Sequence, residues 1–310
     1  MSKIPFVHDL KPAYGVCQQI SPLVRRVTCE NPSAFTYTGT GSFIIGTGSV
    51  AILDPGPDNP AHLEALLSAL SPGETVSHIL VTHTHSDHSP LAAPLKEKTH
   101  ALICGGEDRP VNLEAYDPNL TELVDGIKLE EAVDGDYRPD IILKDGDEIA
   151  GPDWTLEAVF TPGHIGNHFC FALKEEKTLF TGDHIMGWST SIIAPPEGNM
   201  ADYMHSLERL LKRDEAILRP THGPAVENPD AFIRAYIAHR RNREDQIMAQ
   251  LKAGQSQIKP MVEIIYADID VRLHPAAAMS MLAHLQGMVQ TGKVGCDGAP
   301  GLSSHYSLLQ

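Results

Sequence analysis

Short apolar runs alternate with stretches of helical spacing through the first two-thirds of the chain. Residues 42–45 and 50–53 predict two strands, joined by a hairpin-like connection over 46–49. The second run ends in Asp54-Pro55-Gly56. Asn59 then offers a helix cap with Pro60 at the first helical position, and Leu63, Leu66, Leu67 and Leu70 follow at helical spacing. Residues 77–82 predict a short buried strand and 101–104 the next, with further strands near 154–160, 168–173 and 178–181. Residues 200–213 and 229–253 carry helical patterns. Strands interleaved with helices in this way predict an α/β fold.

The pattern changes near the end. Residues 258–267 and 275–290 predict two helices, with His274 just before the second, and 294–295 and 305–309 a hairpin across a Gly/Pro-rich tip. Helix, helix, hairpin suggests a small winged-helix-like unit. The expected organisation is a main domain over 1–228, a connecting helix over 229–254 and a winged-helix-like domain over 255–310. Residues 107–140 are acidic, rich in Pro, Asp and Gly and weakly periodic. They read as an insertion lying over or beside the functional site.

Composition narrows the class. Hydrophobic residues make up 42% and charged residues 21%, ordinary values for a globular protein. No apolar run approaches the roughly 18 residues that cross a bilayer, so no membrane partner is expected. The N-terminal residues resemble neither a secretory signal nor a transit peptide, and a cytoplasmic location is the expectation. Cys17, Cys29, Cys104, Cys170 and Cys296 are widely spaced without a C-x-x-C pair, so they predict isolated thiols rather than a disulfide framework. The net charge of −16 falls almost wholly before residue 230. Such a surface repels polyanions at long range.

Val81-Thr82-His83-Thr84-His85-Ser86-Asp87-His88 is the most informative segment. It sets four possible ligands at a strand end: His83 and His85 can face one metal, while Asp87 and His88 at the next turn can face another. Imidazole with carboxylate suits zinc, and also iron or manganese. Three further fragments set His164 after Thr161-Pro162-Gly163, Asp183 after Phe180-Thr181-Gly182, and His222 after Pro220-Thr221. Each lies at a strand-to-loop junction, where α/β folds carry functional groups.

In this order the fragments resemble the metallo-β-lactamase superfamily, whose motifs run Asp, H-x-H-x-D-H, His, Asp, His; the match spans 42–225. The resemblance implies a four-layer αββα sandwich over the main domain. It implies that His83, His85 and His164 bind one metal, that Asp87, His88 and His222 bind a second, and that Asp183 bridges them. Asp54 would hold the histidine loop in place. Two zinc ions per chain are expected, with iron or manganese as alternatives, and a hydroxide between them as nucleophile; Asp87 and Asp183 thereby enter the catalytic centre. No G-x-S-x-G serine motif competes with this reading.

Asn31-Pro32-Ser33, Gly39-Thr40-Gly41 and residues 143–148, 206–211 and 239–244 are similar to the β-lactamase-like protein 2 group, as is the tail. That resemblance implies endoribonuclease activity on single-stranded RNA among animal members, whereas bacterial members are mostly unassigned hydrolases. Two departures bear on substrate. Ser89-Pro90-Leu91 stands where the family commonly has paired glycines, with Pro94 a turn later, and the insertion has the wrong charge for RNA.

His184, Trp188, Ser189 and Thr190 follow Asp183 and are candidates to line the cleft, whereas His168 reads as structural. Arg240, Arg241 and Arg243 invite a phosphate-binding reading, but Glu244 and Asp245 beside them favour a salt-bridged face. Three functions compete. The leading one is a dinuclear metal-dependent hydrolase acting on a small ester, thioester, lactone or amide. The others are a metal-dependent ribonuclease and a nucleic-acid-binding regulator with structural metal. Partners are accordingly a small-molecule substrate, or else RNA, and a homodimer formed through the tail stays open.

Overall fold

The computed structural model describes residues 4–107 and 133–309. Most of the acidic stretch read as an insertion therefore lies outside the described residues. Among them, one sheet contains, in chain order, β1 (Gln18–Ser21), β2 (Val24–Thr28), β3 (Gly41–Ile45), β4 (Ser49–Leu53), β5 (Thr75–Leu80), β6 (Leu102–Gly105) and β7 (Ile141–Ile142). Its first four strands are antiparallel, and β4 to β7 run parallel. Helix α1 (Pro60–Ser68) makes the parallel step from β4 to β5 and α2 (Ala92–Thr99) the step from β5 to β6. A second sheet holds β8 (Glu148–Ala150), β9 (Thr155–Phe160), β10 (Phe169–Leu173), β11 (Thr178–Gly182) and β12 (Ile217–Pro220), again as sequential neighbours. Only β11 and β12 are parallel there, joined through α3 (Met200–Leu210).

Strand alternation builds the layers. Phe43, Ile45, Ala51, Leu53 and Leu80 face Leu156, Ala158, Phe169, Phe171 and Phe180 across the sandwich. The Phe43 and Phe180 rings meet at 4.9 Å. The intervening residues Ile44, Val50, Ile52 and Ile79 face Leu63 and Leu66 of α1 and Leu95 of α2. On the far side, Val159, Cys170, Ala172 and Leu179 pack against Tyr203 and Leu207 of α3 and Phe232 and Tyr236 of α4 (Pro229–Lys252). Each large side chain so buried contributes about 1.5–3 kcal/mol. The result is the αββα sandwich.

Strands β1 and β2 and helix α2 were not legible as apolar patterns. In β2, Arg25 points at α1 and is held by two hydrogen bonds to Glu74, at 2.8 and 3.0 Å. Arg26, on the opposite face, donates to the Gly223 carbonyl at 3.1 Å. Paired arginines thus occupy positions that usually carry aliphatic residues. Pro94 sits in the first turn of α2, where its missing N–H costs nothing.

Beyond the sandwich, Ile247 and Leu251 of α4 pack with α5 (Ile258–Ile265), α6 (His274–Gln290), β13 (Val294–Cys296) and β14 (Tyr306–Leu308) around one small core. This is the winged-helix arrangement, and His274 begins its second helix rather than preceding it. No helix among the described residues is long and apolar enough to cross a membrane.

Candidate metal centre

Parallel strands deliver their following loops to one edge of the sandwich. Asp54 follows β4, the histidine segment follows β5, Asp183 follows β11 and His222 follows β12. Asp54 is the hub. It is fully buried with a positive φ of 49°, a backbone position costly for a non-glycine residue. Its carboxylate accepts from the Thr82 amide at 2.8 Å, the Thr82 hydroxyl at 2.9 Å, the Thr221 hydroxyl at 2.6 Å and His88 Nδ1 at 2.9 Å. One side chain thus ties the histidine loop of the first sheet to the last motif loop of the second.

Two groups of side chains converge there: His83, His85 and His164, and Asp87, His88, Asp183 and His222. Within each, the candidate ligand atoms lie within 4.8 Å of one another. His85 Nδ1 is 2.9 Å from His83 Nε2 and 3.0 Å from His164 Nε2. In the second group, His222 Nε2 lies 2.9 Å from Asp87 and 3.5 Å from Asp183, and His88 Nε2 lies 3.5 Å from each.

The outward ring nitrogens are all engaged. His83 Nδ1 lies 2.9 Å from the Thr82 hydroxyl. His164 Nδ1 donates to the Ile192 carbonyl at 2.6 Å and His222 Nδ1 to the Gly39 carbonyl at 3.2 Å. His88 uses Asp54, and His85 Nε2 faces Glu197 Oε2 at 3.2 Å. Each imidazole is therefore held by one nitrogen while the other faces the cluster, the arrangement that fixes a metal-binding tautomer.

Electrostatics separates the groups. Burial, reinforced by neighbouring imidazoles, pushes His83 well below its ordinary value and His164 down to about 4, so both are neutral and carry lone pairs. In the second group burial is outweighed: His88 beside Asp87, and His222 beside Asp183, rise above the ordinary histidine value, and the two carboxylates fall. Asp87 Oδ1 and Asp183 Oδ1 are buried without a hydrogen-bond partner. Orphaned carboxylate oxygens beside converging imidazoles are the donor set a divalent cation satisfies.

Comparison with known proteins agrees. Residues 38–222, more than half of the chain, match the metallo-beta-lactamase superfamily. The chain belongs to that superfamily. Residues 258–300 match the beta-lactamase associated winged helix domain. This metallo-β-lactamase-fold hydrolase is 30% identical over 282 residues to the beta-lactamase-like protein 2 homolog of Caenorhabditis elegans, covering 89% of this chain and 88% of that one. It is 29% identical over 304 residues to the lactamase-like protein adaB of Aspergillus niger, covering 91% and 85%. To the atrochrysone carboxyl ACP thioesterase dmxR1 of a Cryptosporiopsis species it is 30% identical over 246 residues, covering 79% and 67%. A beta-lactamase domain protein from Burkholderia ambifaria has the same fold, with TM-score 0.77 at 22% identity over 97% of this chain and 96% of that one.

Other residues of this superfamily member sort clearly. His168 is structural: its Nδ1 lies 2.9 Å from the Thr161 hydroxyl, and its Nε2 accepts the Asp183 amide at 3.3 Å. Gly163, with φ 141°, lets the turn before His164 sit on α3, since a Cβ there would lie 2.3 Å from the Tyr203 Cα. His184 does not line the cleft, contrary to expectation. It is fully buried and packs on Tyr203 at 4.7 Å, in the layer between the second sheet and α3.

Trp188 is half-buried and stacks on Tyr37 at 4.8 Å and 14°. It lies over Gly223, where an added Cβ would come within 2.6 Å of its ring, so it adjoins the His222 loop. Ser189 and Thr190 are also half-buried. Tyr37 and Glu197 were missed by sequence reasoning. Only the positive φ of 56° at Tyr37 distinguishes it, and a backbone angle is invisible in sequence. The end of the acidic segment does reach the site: the Asp134 amide donates to the Thr84 carbonyl at 2.8 Å, and the Ser89 hydroxyl donates to the Asp134 carboxylate at 2.7 Å.

Proposed function

We propose that this protein is a dinuclear zinc hydrolase acting on a small ester, thioester, lactone or amide. One observation carries the reading: two adjacent buried donor groups whose imidazoles are oriented from outside, the second of them also holding two carboxylate oxygens, of Asp87 and Asp183, that lack a hydrogen-bond partner. His83, His85 and His164 would hold one ion and Asp87, His88 and His222 the other, with Asp183 between them. Zinc suits the predominance of imidazole, and iron or manganese would be accepted by the same donors. When bound, such ions lower the pKa of water and polarise the substrate's carbonyl. The chain itself orients the ligands, and Trp188 with Tyr37, Ser189 and Thr190 would form one wall of the cleft.

The charge distribution weighs against a polyanionic substrate, and the thioesterase relative supports hydrolysis of a thioester. Arg240, Arg241 and Arg243 of α4 are each engaged within the protein. Arg240 donates to the Ser191 carbonyl and covers the Tyr203 ring at 5.1 Å. Arg241 pairs with Glu208 at 3.0 Å, and Arg243 lies 3.9 Å over Tyr266. We also take residues 1–228 as the catalytic unit, 229–254 as the connecting helix and 255–310 as the appended domain.

The test is a panel of thioesters, lactones, p-nitrophenyl esters and single-stranded RNA, assayed with and without chelator across a salt series. Chelator-sensitive turnover of a small ester or thioester, nearly independent of salt, is expected, and Asp183→Asn should lose metal and turnover together. Turnover confined to RNA and falling steeply with salt would overturn the substrate assignment. Full activity of Asp183→Asn with its metals retained would overturn the bridging role.

A further inference from the structure

The first donor group leans on a segment without any apolar pattern, the stretch between β11 and α3. The Ile192 carbonyl accepts His164 Nδ1 at 2.6 Å, and five residues later Glu197 Oε2 stands 3.2 Å from His85 Nε2. This stretch is anchored throughout. The Ser191 hydroxyl is bonded to the Asp183 and His184 carbonyls at 2.6 and 2.8 Å. The Gly198 amide donates to the Ala194 carbonyl at 2.8 Å, and the Asn199 amide to the Gly163 carbonyl at 2.8 Å, in the turn that presents His164. Asn199 then caps α3 by accepting the Ala201 and Asp202 amides at 2.9 and 3.1 Å. Glu197 therefore projects from a fixed loop.

His85 differs from the other imidazoles of the centre in facing the cluster with Nδ1 rather than Nε2. For Nδ1 to offer a lone pair, the proton must sit on Nε2, the nitrogen that meets Glu197. A carboxylate thus backs one imidazole in each group: Asp54 behind His88, Glu197 behind His85. The two supports differ in setting. Asp54 is wholly buried, whereas 22% of the Glu197 side chain is exposed.

We propose that Glu197 is a positioning residue for the metal held by His83, His85 and His164, fixing the Nε2 proton of His85 and raising the basicity of its ring. The inference rests on the two-metal reading. An ordinary, partly exposed ion pair would contribute little to folding and leave metal affinity unchanged. A carboxylate behind a ligating imidazole is instead worth about 10–100-fold in affinity.

The experiment is a zinc titration of chelated wild type, Glu197→Ala and Glu197→Gln against a chromophoric competitor, with the melting temperature of each chelated protein recorded. Wild type should bind two zinc ions. Glu197→Ala should weaken one of them by about 10–100-fold, leave the other unchanged, and melt like wild type when metal-free. Glu197→Gln keeps an acceptor for the Nε2 proton but lacks the charge, so its loss should be intermediate. In a His85→Ala background the Glu197→Ala effect should vanish.

Wild-type affinity at both sites of Glu197→Ala overturns the proposal. So does equal weakening of both sites with a lowered metal-free melting point, which marks a general structural role. Should Glu197→Ala fail to fold, undiminished affinity in Glu197→Gln overturns it instead. Fewer than two zinc ions in wild type would refute the two-metal reading itself, a distinct outcome.

Discussion

Asp54 binds four donors with two oxygens, and those donors belong to two loops of the centre, one from each sheet. Asn at this position keeps one acceptor oxygen and sets an amide group against the others, so His88 or Thr221 loses its partner. Asp54→Asn is therefore expected to bind zinc about 10–100-fold more weakly than wild type, measured by competition with a chelator. Unchanged affinity would remove Asp54 from the support of the site. At this scale the sequence was informative wherever residue type and spacing coincide. His83, His85, Asp87 and His88 crowd six positions, and Asp54, His164, Asp183 and His222 each close a strand. Glu197 and Tyr37 carry no such spacing. They reach the site through loop geometry, which depends on contacts with distant segments.

Among the elements, β2 shows how a polar pair can stand in for apolar packing. Arg25 and Glu74 are both nearly buried, with side chains 10% and 8% exposed, and they join the strand to the turn before β5. Burial alone would raise the Glu74 carboxyl, but the Arg25 guanidinium and the Ser71 amide outweigh it and hold it below its ordinary value. A carboxyl with a depressed folded pKa stabilises the fold fully above about pH 4.5, and that contribution is lost as pH falls through the folded value. Glu74→Gln should thus cost about 1.5–3 kcal/mol at pH 7, with the difference from wild type shrinking as acid takes the pH through the depressed folded value. Urea melts at pH 7 and in acid check this; a pH-independent difference would contradict it.

The same pair explains part of what stayed illegible. Strands with clean alternation, such as β3, β4 and β10, could be read from their residues, since one face meets the opposite sheet and the other a helix. In β2 the charges of Arg25 and Arg26 masked a buried strand in which Glu74 takes up the Arg25 guanidinium and the Gly223 carbonyl accepts one Arg26 nitrogen. In α2, Pro94 and the run Lys96-Glu97-Lys98 hid a helix held mainly by Leu95 and Ala92.

At the scale of the whole molecule, the proposed metals would act as a brace. His83, His85, Asp87 and His88 come from the first sheet, and His164, Asp183 and His222 from the second, so ions held by both groups join the two halves of the sandwich. Ligands that bind only the folded state stabilise it by about 4 kcal/mol at a thousandfold excess over Kd. Chelation should accordingly lower the melting temperature by several degrees, and zinc should restore it. An identical melt with and without chelator would deny the brace. The winged-helix end is built differently. Ile247 and Leu251 near the end of the long helix complete its core, while Phe232 and Tyr236 near the start of that helix pack on the sandwich.

The most direct test of the central claim is the number of metal ions per chain, counted by elemental analysis of chelated protein reconstituted with zinc and freed of excess. Two ions per chain are expected in wild type, falling to one or none in Asp183→Asn. A wild-type protein that retains one ion or none would contradict the dinuclear centre on which the account rests.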